Sequence, residues 1–237
     1  MAQLSESIRT AAMIALPLVF AVTLHEAAHG WMANRKGDST ARLLGRITAN
    51  PLPHIDPVGT VLVPLLLLLS GAGFLFGWAK PVPVNFRALR RPRIDMAWVA
   101  AAGPGANLLM ALAAGVACQA VVWMLPELGL VLRWPPFSMP GEIPEGYRLS
   151  LPLLLIFKCA VELNVILMCF NLLPIPPLDG GRVAVGLLPP GPAHTLSLIE
   201  PVGIFVVLAL VWLDPGGAMH QVFWPGVLGL ARLILGG

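Results

Sequence analysis

The stretch AAMIALPLVFAVTLHEAAHGWM, residues Ala11–Met32, decides how the chain folds. It belongs to an apolar run from about Ile8 to Met32, long enough for the ~20-residue helix that crosses a bilayer. It runs well past signal-peptide length, so it reads as a first membrane helix rather than a cleaved signal. Yet its second half holds His25, Glu26 and His29. Ionisable groups are costly in hydrocarbon and persist there mainly where they face a protein interior and serve a function. A helix of this kind needs neighbours to cover its polar face, which predicts a polytopic helical bundle.

The rest of the chain agrees. Of 237 residues, 57% are hydrophobic and 11% charged, against roughly 45–50% and about 25% in a soluble domain. The mean hydropathy is +0.81. A water-soluble fold of this size cannot hide that much apolar surface, so soluble enzyme classes are excluded. Further apolar segments run over Val58–Gly77, Met96–Leu125, Leu151–Leu173 and Leu196–Leu213. A weaker one, Gln221–Leu235, is interrupted by Pro225 and several glycines and reads as a short span or an interfacial helix. The expected fold is all-α and polytopic, with about five to six membrane segments in one membrane-embedded domain over residues 1–237. Its core covers 8–190, and C-terminal helices occupy 195–237. Leu125–Ser150 is Pro-rich and reads as a solvent-exposed loop.

Val58–Gly77 differs from the other segments. Pro64 interrupts it, SGAG (Ser70–Gly73) breaks it, and GFLFGWAKPVPVNF follows. Pro81, Pro83 and Asn85 cannot continue a helix. Lys80–Phe86 reads as extended backbone, an edge strand, which survives at membrane depth only where protein buries it or it lines a polar cavity.

His25 and His29 are four residues apart and share one helix face. Both imidazoles can reach one metal ion, and Glu26 lies close enough to act on a water there, as in HExxH zinc sites. A catalytic zinc site uses three protein ligands and an open position. His54, His194, His220 and the carboxylates are candidates for the third. Asp179 stands out in NLLPIPPLDGGR (Asn171–Arg182), where prolines end a span and an acid follows. It reads equally as a ligand or as a helix cap. His54, in NPLPHIDPVG (Asn50–Gly59), reads as an extra ligand, as a group supporting the metal site, or as part of a turn. Cys118, Cys159 and Cys169 lie in apolar runs at spacings unlike a zinc site and read as buried free thiols. The net charge is +3; the basic residues gather in short loops, which marks topology rather than nucleic-acid binding.

HEAAH in one membrane helix, AGPGAN (Ala102–Asn107) in a later one and NLLPIPPLDGG after a third resemble the site-2 protease family of intramembrane zinc metalloproteases. The resemblance implies one Zn2+ per chain held by His25, His29 and Asp179, with Glu26 as general base. It implies that Gly103 and Asn107 help hold substrate, although close helix packing with a buried amide accounts for them equally well. Asn171 matches a family motif position and is expected to shape the site or touch substrate. The stretch with Val82 and Val84 could bind an unwound substrate as an added strand. The expected substrates are single-pass membrane proteins cut in their transmembrane segments, with selection resting on the membrane core, a regulatory membrane partner or an earlier cleavage. No inserted PDZ-like or regulatory domain is expected.

In that family the HExxH helix and the G-x-x-x-N helix run antiparallel, so Val58–Gly77 must enter and return on one side. The charges favour this. Arg35, Lys36, Arg42, Arg46, Lys80, Arg87, Arg90, Arg91, Arg93 and Arg182 then share a face, and only Arg9, Arg133 and Arg148 oppose them. By the positive-inside rule the basic face, and with it the site, lies toward the cytoplasm. A bacterial cytoplasmic membrane is the expected location. Two other readings compete: an inactive chaperone or adaptor that binds membrane segments, and a transporter with a polar His/Glu/Asp pathway.

Overall fold

Among the described residues, three helices have the length and apolarity to cross a membrane. α1 (Ala2–Lys36) supplies Met13–Lys36, and α4 (Pro92–Met124) and α5 (Ser150–Asn171) supply the others. The computed structural model describes residues 2–70, 77–138, 140 and 143–237. Among these the regular elements are all helical, in keeping with the expected class. α2 (Thr40–Leu43) follows α1, and α3 (Val63–Ser70) continues a π-turn over Pro57–Leu62. α6 (Asp179–Leu187), α7 (Pro190–Ser197), α8 (Gly203–Leu213) and α9 (Trp224–Ile234) complete the chain.

The later apolar runs form shorter helices than spans require. α8 has 11 residues. It stops at Asp214, which turns left-handed at φ +40 before Pro215 and Gly216. α9 also has 11 residues and follows a π-turn over Met219–Phe223.

Side-chain contacts fix the helix directions. Ala21 and His25 of α1 meet Asn107 of α4, His29 meets Val99, and Lys36 meets Asp95. Numbers rise on one helix as they fall on the other, so α1 and α4 are antiparallel. The chain between them therefore leaves and returns at the same end of the bundle. Its hydrogen bonds agree. Trp78 N–H donates to Gly59 O at 3.1 Å, and Lys80 N–H to His54 O at 2.9 Å. The returning segment thus lies beside the entry turn, as a re-entrant segment must. Residues 71–76, with most of the SGAG break, lie outside the described residues.

From Gly77 to Asn85 the backbone forms neither helix nor strand. It is extended at Asn85 (φ −92, ψ 94), but Pro81 and Pro83 have no N–H to give a ladder. Side chains hold this strap instead. Arg46 Nη2 donates to Lys80 O at 2.6 Å, and Asn85 N–H donates to Asp38 Oδ2 at 2.6 Å. Asp38 also accepts from the Thr40 amide and hydroxyl. Burial alone would raise its carboxyl, but these donors outweigh it and hold Asp38 below the usual range.

The apolar core lies between α4 and α5 and includes Cys118, Leu154, Leu155, Val161 and Val165, with Val227 and Ala231 of α9 against it. Within it Lys158 and Glu162, one turn apart on α5, form an ion pair at 2.5 Å. The loop before α5 completes that pair: Lys158 also donates to Pro135 O and Glu162 accepts from Phe137 N–H. Paired and bonded in this way, the charges escape most of the penalty of burial.

Candidate metal centre

Helical register stacks His25 and His29 on the face of α1 that meets α4. The approach of α4 depends on Gly103, where a Cβ would collide with both imidazoles, lying 2.6 Å from His25 Cε1. The third member arrives from the far end of α5. After Asn171 the prolines at 174, 176 and 177 prevent continuation, and the chain folds back so that Asp179 opens α6. Gly180 and Gly181 let α6 start against this loop, since a side chain at either would strike the backbone of Leu172 or Ile175.

The three groups converge. His25 Nε2 lies 3.2 Å and His29 Nε2 3.4 Å from Asp179 Oδ2, and the two Nε2 atoms are 3.1 Å apart. Their partners on the other side assign the tautomers. His29 Nδ1 lies 2.7 Å from Val99 O and must donate to it. His25 Nδ1 lies 2.6 Å from Asn107 Oδ1. The Asn107 amide donates in turn to Asn164 Oδ1 at 2.8 Å, so its oxygen is the acceptor for His25. Both Nε2 atoms therefore present lone pairs to a carboxylate oxygen that has no hydrogen-bond donor. Three acceptors facing one another repel unless a cation sits between them. The donor set of two imidazoles and one carboxylate, with all three atoms within 4.8 Å, suits zinc. The outer hydrogen bonds on each ring are those that orient metal-binding histidines.

Glu26 borders the same cavity of ≈ 230 Å³, which Val82, Val84, Asn171 and Arg182 also line. Its Oε2 accepts from Val82 N–H at 2.7 Å. Asn171 lines the cavity, and its Nδ2 donates to Leu167 O one turn back. Arg182 pairs with Glu200 at 2.9 Å and lies over the Phe86 ring.

Some expected residues stand elsewhere. Asn107 is fully buried, and its side chain meets His25 rather than the cavity. Gly103 provides the close approach of two helices. His54 is outside the metal group and lines a separate cavity. His194 and His220 do not join the group either. Sequence reading missed Asn164, although an amide inside an apolar span is itself a signal that a polar partner faces it. It also missed Arg46 and Asp38, whose partners in the strap lie 34 and 47 residues away.

Comparison with known proteins leads to the same chemistry. YwhC of Bacillus subtilis (strain 168) is 35% identical over 212 residues, covering 90% of this chain and 84% of that protein. Rip2 of Mycolicibacterium smegmatis is 27% identical over 194 residues, covering 81% of this chain and 64% of its own length. Both carry the words "zinc metalloprotease" in their names. No solved structure matches the chain. The model of peptidase family M50 matches residues 13–210, a range that includes the paired histidines, Glu26 and the returning Asp179. The chain is therefore a member of peptidase family M50, the site-2 protease family, and a zinc metallopeptidase.

Proposed function

We propose that the protein is an intramembrane endopeptidase that cuts transmembrane segments of single-pass membrane proteins, as a step in regulated proteolysis. The observation that supports this most directly is the location of the site. His25, His29 and Asp179 converge inside a bundle of helices long and apolar enough to span a membrane, where a soluble substrate would have no reason to go.

In this reading His25, His29 and Asp179 hold the zinc. Bound there, zinc supplies a Lewis acid that polarises a carbonyl and acidifies a water. Glu26 is the general base: it takes the proton from the attacking water and returns it to the leaving amine. Val82 N–H occupies one carboxylate oxygen and leaves the other for that proton. Asn107 and Val99 O hold the imidazoles in the tautomer that ligation requires. Asn171, which lines the cavity, shapes the site.

A helical substrate resists attack because its peptide groups are bonded internally. The strap offers an alternative. Val84 N–H and C=O make no hydrogen bond among the described residues, so an unwound segment can pair there as an added strand. Val82 and Val84 thus form the substrate-facing edge. The strap end of the bundle carries Arg35 and Lys36 at the end of α1, Arg42 in α2, Arg46, Arg87, Arg90 and Arg91 between helices, and Arg93 in the first turn of α4, and the positive-inside rule favours a cytoplasmic position for such an end. A bacterial cytoplasmic membrane fits this arrangement, with a regulatory membrane partner to select substrates.

The test is zinc stoichiometry and cleavage of a membrane-spanning peptide by wild type and Glu26→Gln. Zinc near one per chain in both, with cleavage lost in the variant, is the expected result. Absence of zinc from the wild type would favour a transport pathway, and unchanged cleavage in Glu26→Gln would remove the general base.

A further inference from the structure

The end of the bundle that holds the strap carries a second polar cavity, which shares no lining residue with the metal cavity. Its volume is ≈ 370 Å³. Arg35 and Lys36 from the last turn of α1 line it, together with Arg90 and Arg91 from the approach to α4. Asp95 is the one carboxylate among its lining residues. That group is 1% exposed and lies 3.5 Å from Lys36 Nζ and 4.0 Å from Arg91 Nη2. Among the described residues Arg35 and Arg90 have no carboxylate partner. Four cations therefore face one anion, a surplus of three positive charges in one concave space. A cleft lined by one sign of charge concentrates its field and attracts the opposite sign.

The backbone around this cavity is fixed, and two of its cations are seated on rings. Arg90 N–H donates to Lys36 O at 3.0 Å, which fastens the segment before α4 to the end of α1. Gly37, at φ +116, permits the approach: a Cβ there would lie 3.1 Å from Ala88 O and 3.2 Å from Arg90 Cγ. Arg91 N–H donates to Asp95 Oδ2 at 2.8 Å. The Arg35 guanidinium lies over Trp31, 4.8 Å from the ring centroid, and the Lys36 ammonium lies over Trp98 at 5.4 Å. A site ordered in advance loses less freedom when its ligand binds.

The same rings indicate the kind of anion. Trp31 and Trp98 are 46% and 53% exposed. Each stands within two turns of the end of a helix long and apolar enough to cross a membrane. Exposed tryptophans at such positions lie at headgroup level. We propose that the cavity binds the phosphate of an anionic phospholipid, whose acyl chains run past Trp31 and Trp98. Guanidinium forks match phosphate oxygens. A zwitterionic lipid carries its own cation beside its phosphate and gains less from the surplus charge; phosphatidylglycerol, with an uncharged glycerol headgroup, gains in full. A free phosphate satisfies the arginines but leaves both indoles without an apolar partner. The bound lipid clamps the end of α1 to the start of α4, the helices that carry the paired histidines and Gly103. This inference needs a membrane but not peptide cleavage, so it stands apart from the protease reading.

The test uses the whole zinc-loaded chain in a neutral detergent, titrated with dioleoyl phosphatidylglycerol and read by native mass spectrometry. This lipid should bind at least about tenfold more tightly than dioleoyl phosphatidylcholine, the scale of one net charge beside basic residues. Combining Arg35→Gln with Arg90→Gln should weaken phosphatidylglycerol binding about thirtyfold, the scale of two basic side chains near anionic lipid, and leave phosphatidylcholine binding unchanged. Zinc content and the melting temperature without lipid show whether the double variant is folded; if it is not, each single variant should weaken binding about fivefold. Arg133→Gln, in the turn after α4 at the opposite end of the bundle, is the control and should bind as wild type. Glycerol phosphate at the same concentration as the lipid should not displace it. The proposal is overturned by equal binding of the two lipids, by wild-type affinity in the folded arginine variants, or by the same loss in Arg133→Gln. Displacement by equimolar glycerol phosphate would make this a site for a free anion, and displacement by an equimolar aspartate-rich peptide would make it a protein contact; either result also overturns the proposal.

Discussion

Val82 and Glu26 are 56 residues apart in sequence, yet the backbone N–H of the first donates to the carboxylate of the second at 2.7 Å. The strap that would receive substrate is thereby tied to the group that would take the proton. Strand pairing and base positioning become separable by experiment, because Val84 lies on the same strap and has no bond to Glu26.

Val82→Pro removes the N–H and frees the Glu26 carboxylate. The expected effect is a fall in kcat on the order of 10²-fold, the scale of a displaced catalytic group, with zinc retained. Val84→Pro should instead raise KM for a membrane-spanning peptide. Steady-state kinetics on the two variants decide the matter; the same kcat loss in both would show that the strap acts only as scaffold.

Gly103→Ala places a methyl group against both imidazoles. Overpacking of this kind costs about 1–3 kcal/mol, and here it also pushes the rings out of line. The variant should lose zinc during dialysis that leaves the wild type loaded, and should melt at lower temperature. Metal analysis and a thermal melt check both. Gly105→Ala, with open space around the added carbon, is the control and should behave as wild type.

Asn107→Ala cuts the hydrogen bond that fixes the His25 tautomer. Loss of such a partner typically weakens metal binding by about 10–100-fold. Asn164→Ala acts one step further away, through the 2.8 Å bond to Asn107, and should weaken it less. Competition with a zinc chelator gives both values. A larger effect at Asn164 than at Asn107 would contradict the proposed order of the relay.

Asp38 gives the fold an acid-sensitive joint. Its folded pKa lies below the ordinary 3.8. The stabilisation it provides is therefore complete above the unfolded value and is lost as pH falls through the lower, folded value. Asp38→Asn should lose about 1–3 kcal/mol at neutral pH, as for a buried charge-assisted bond. The gap in Tm between wild type and variant should narrow as pH falls below about 4, the range where carboxylates take up protons. A gap that is constant with pH would remove the charge from the account.

The part of the site held within single segments was legible in the sequence. The four-residue spacing of His25 and His29 follows from helical period, and the prolines ahead of Asp179 announce a break followed by an acid. The re-entrant path came from the family resemblance, which calls for antiparallel HExxH and G-x-x-x-N helices, and from the one-sided basic residues; α1 and α4 are antiparallel in the structure. What escaped depends on contacts across long separations. Asn107 carries the same residue type whether it faces substrate or His25, and only the 82-residue contact tells them apart. Span length escaped for a different reason. Hydropathy records how apolar Leu196–Leu213 is, but α7 takes its first residues, the chain turns over 198–202, and α8 starts only at Gly203.

The Lys158–Glu162 pair has a consequence for the membrane as a whole. By taking Pro135 O and Phe137 N–H as partners, it hooks the loop between α4 and α5 into that end of the bundle, away from the strap. A hydrolase inside a bilayer must admit water without becoming a leak for protons and ions. On the proposed intramembrane reading the strap side would admit the water, while at the opposite end the paired charges of Lys158 and Glu162 cannot separate without stranding one another at low dielectric.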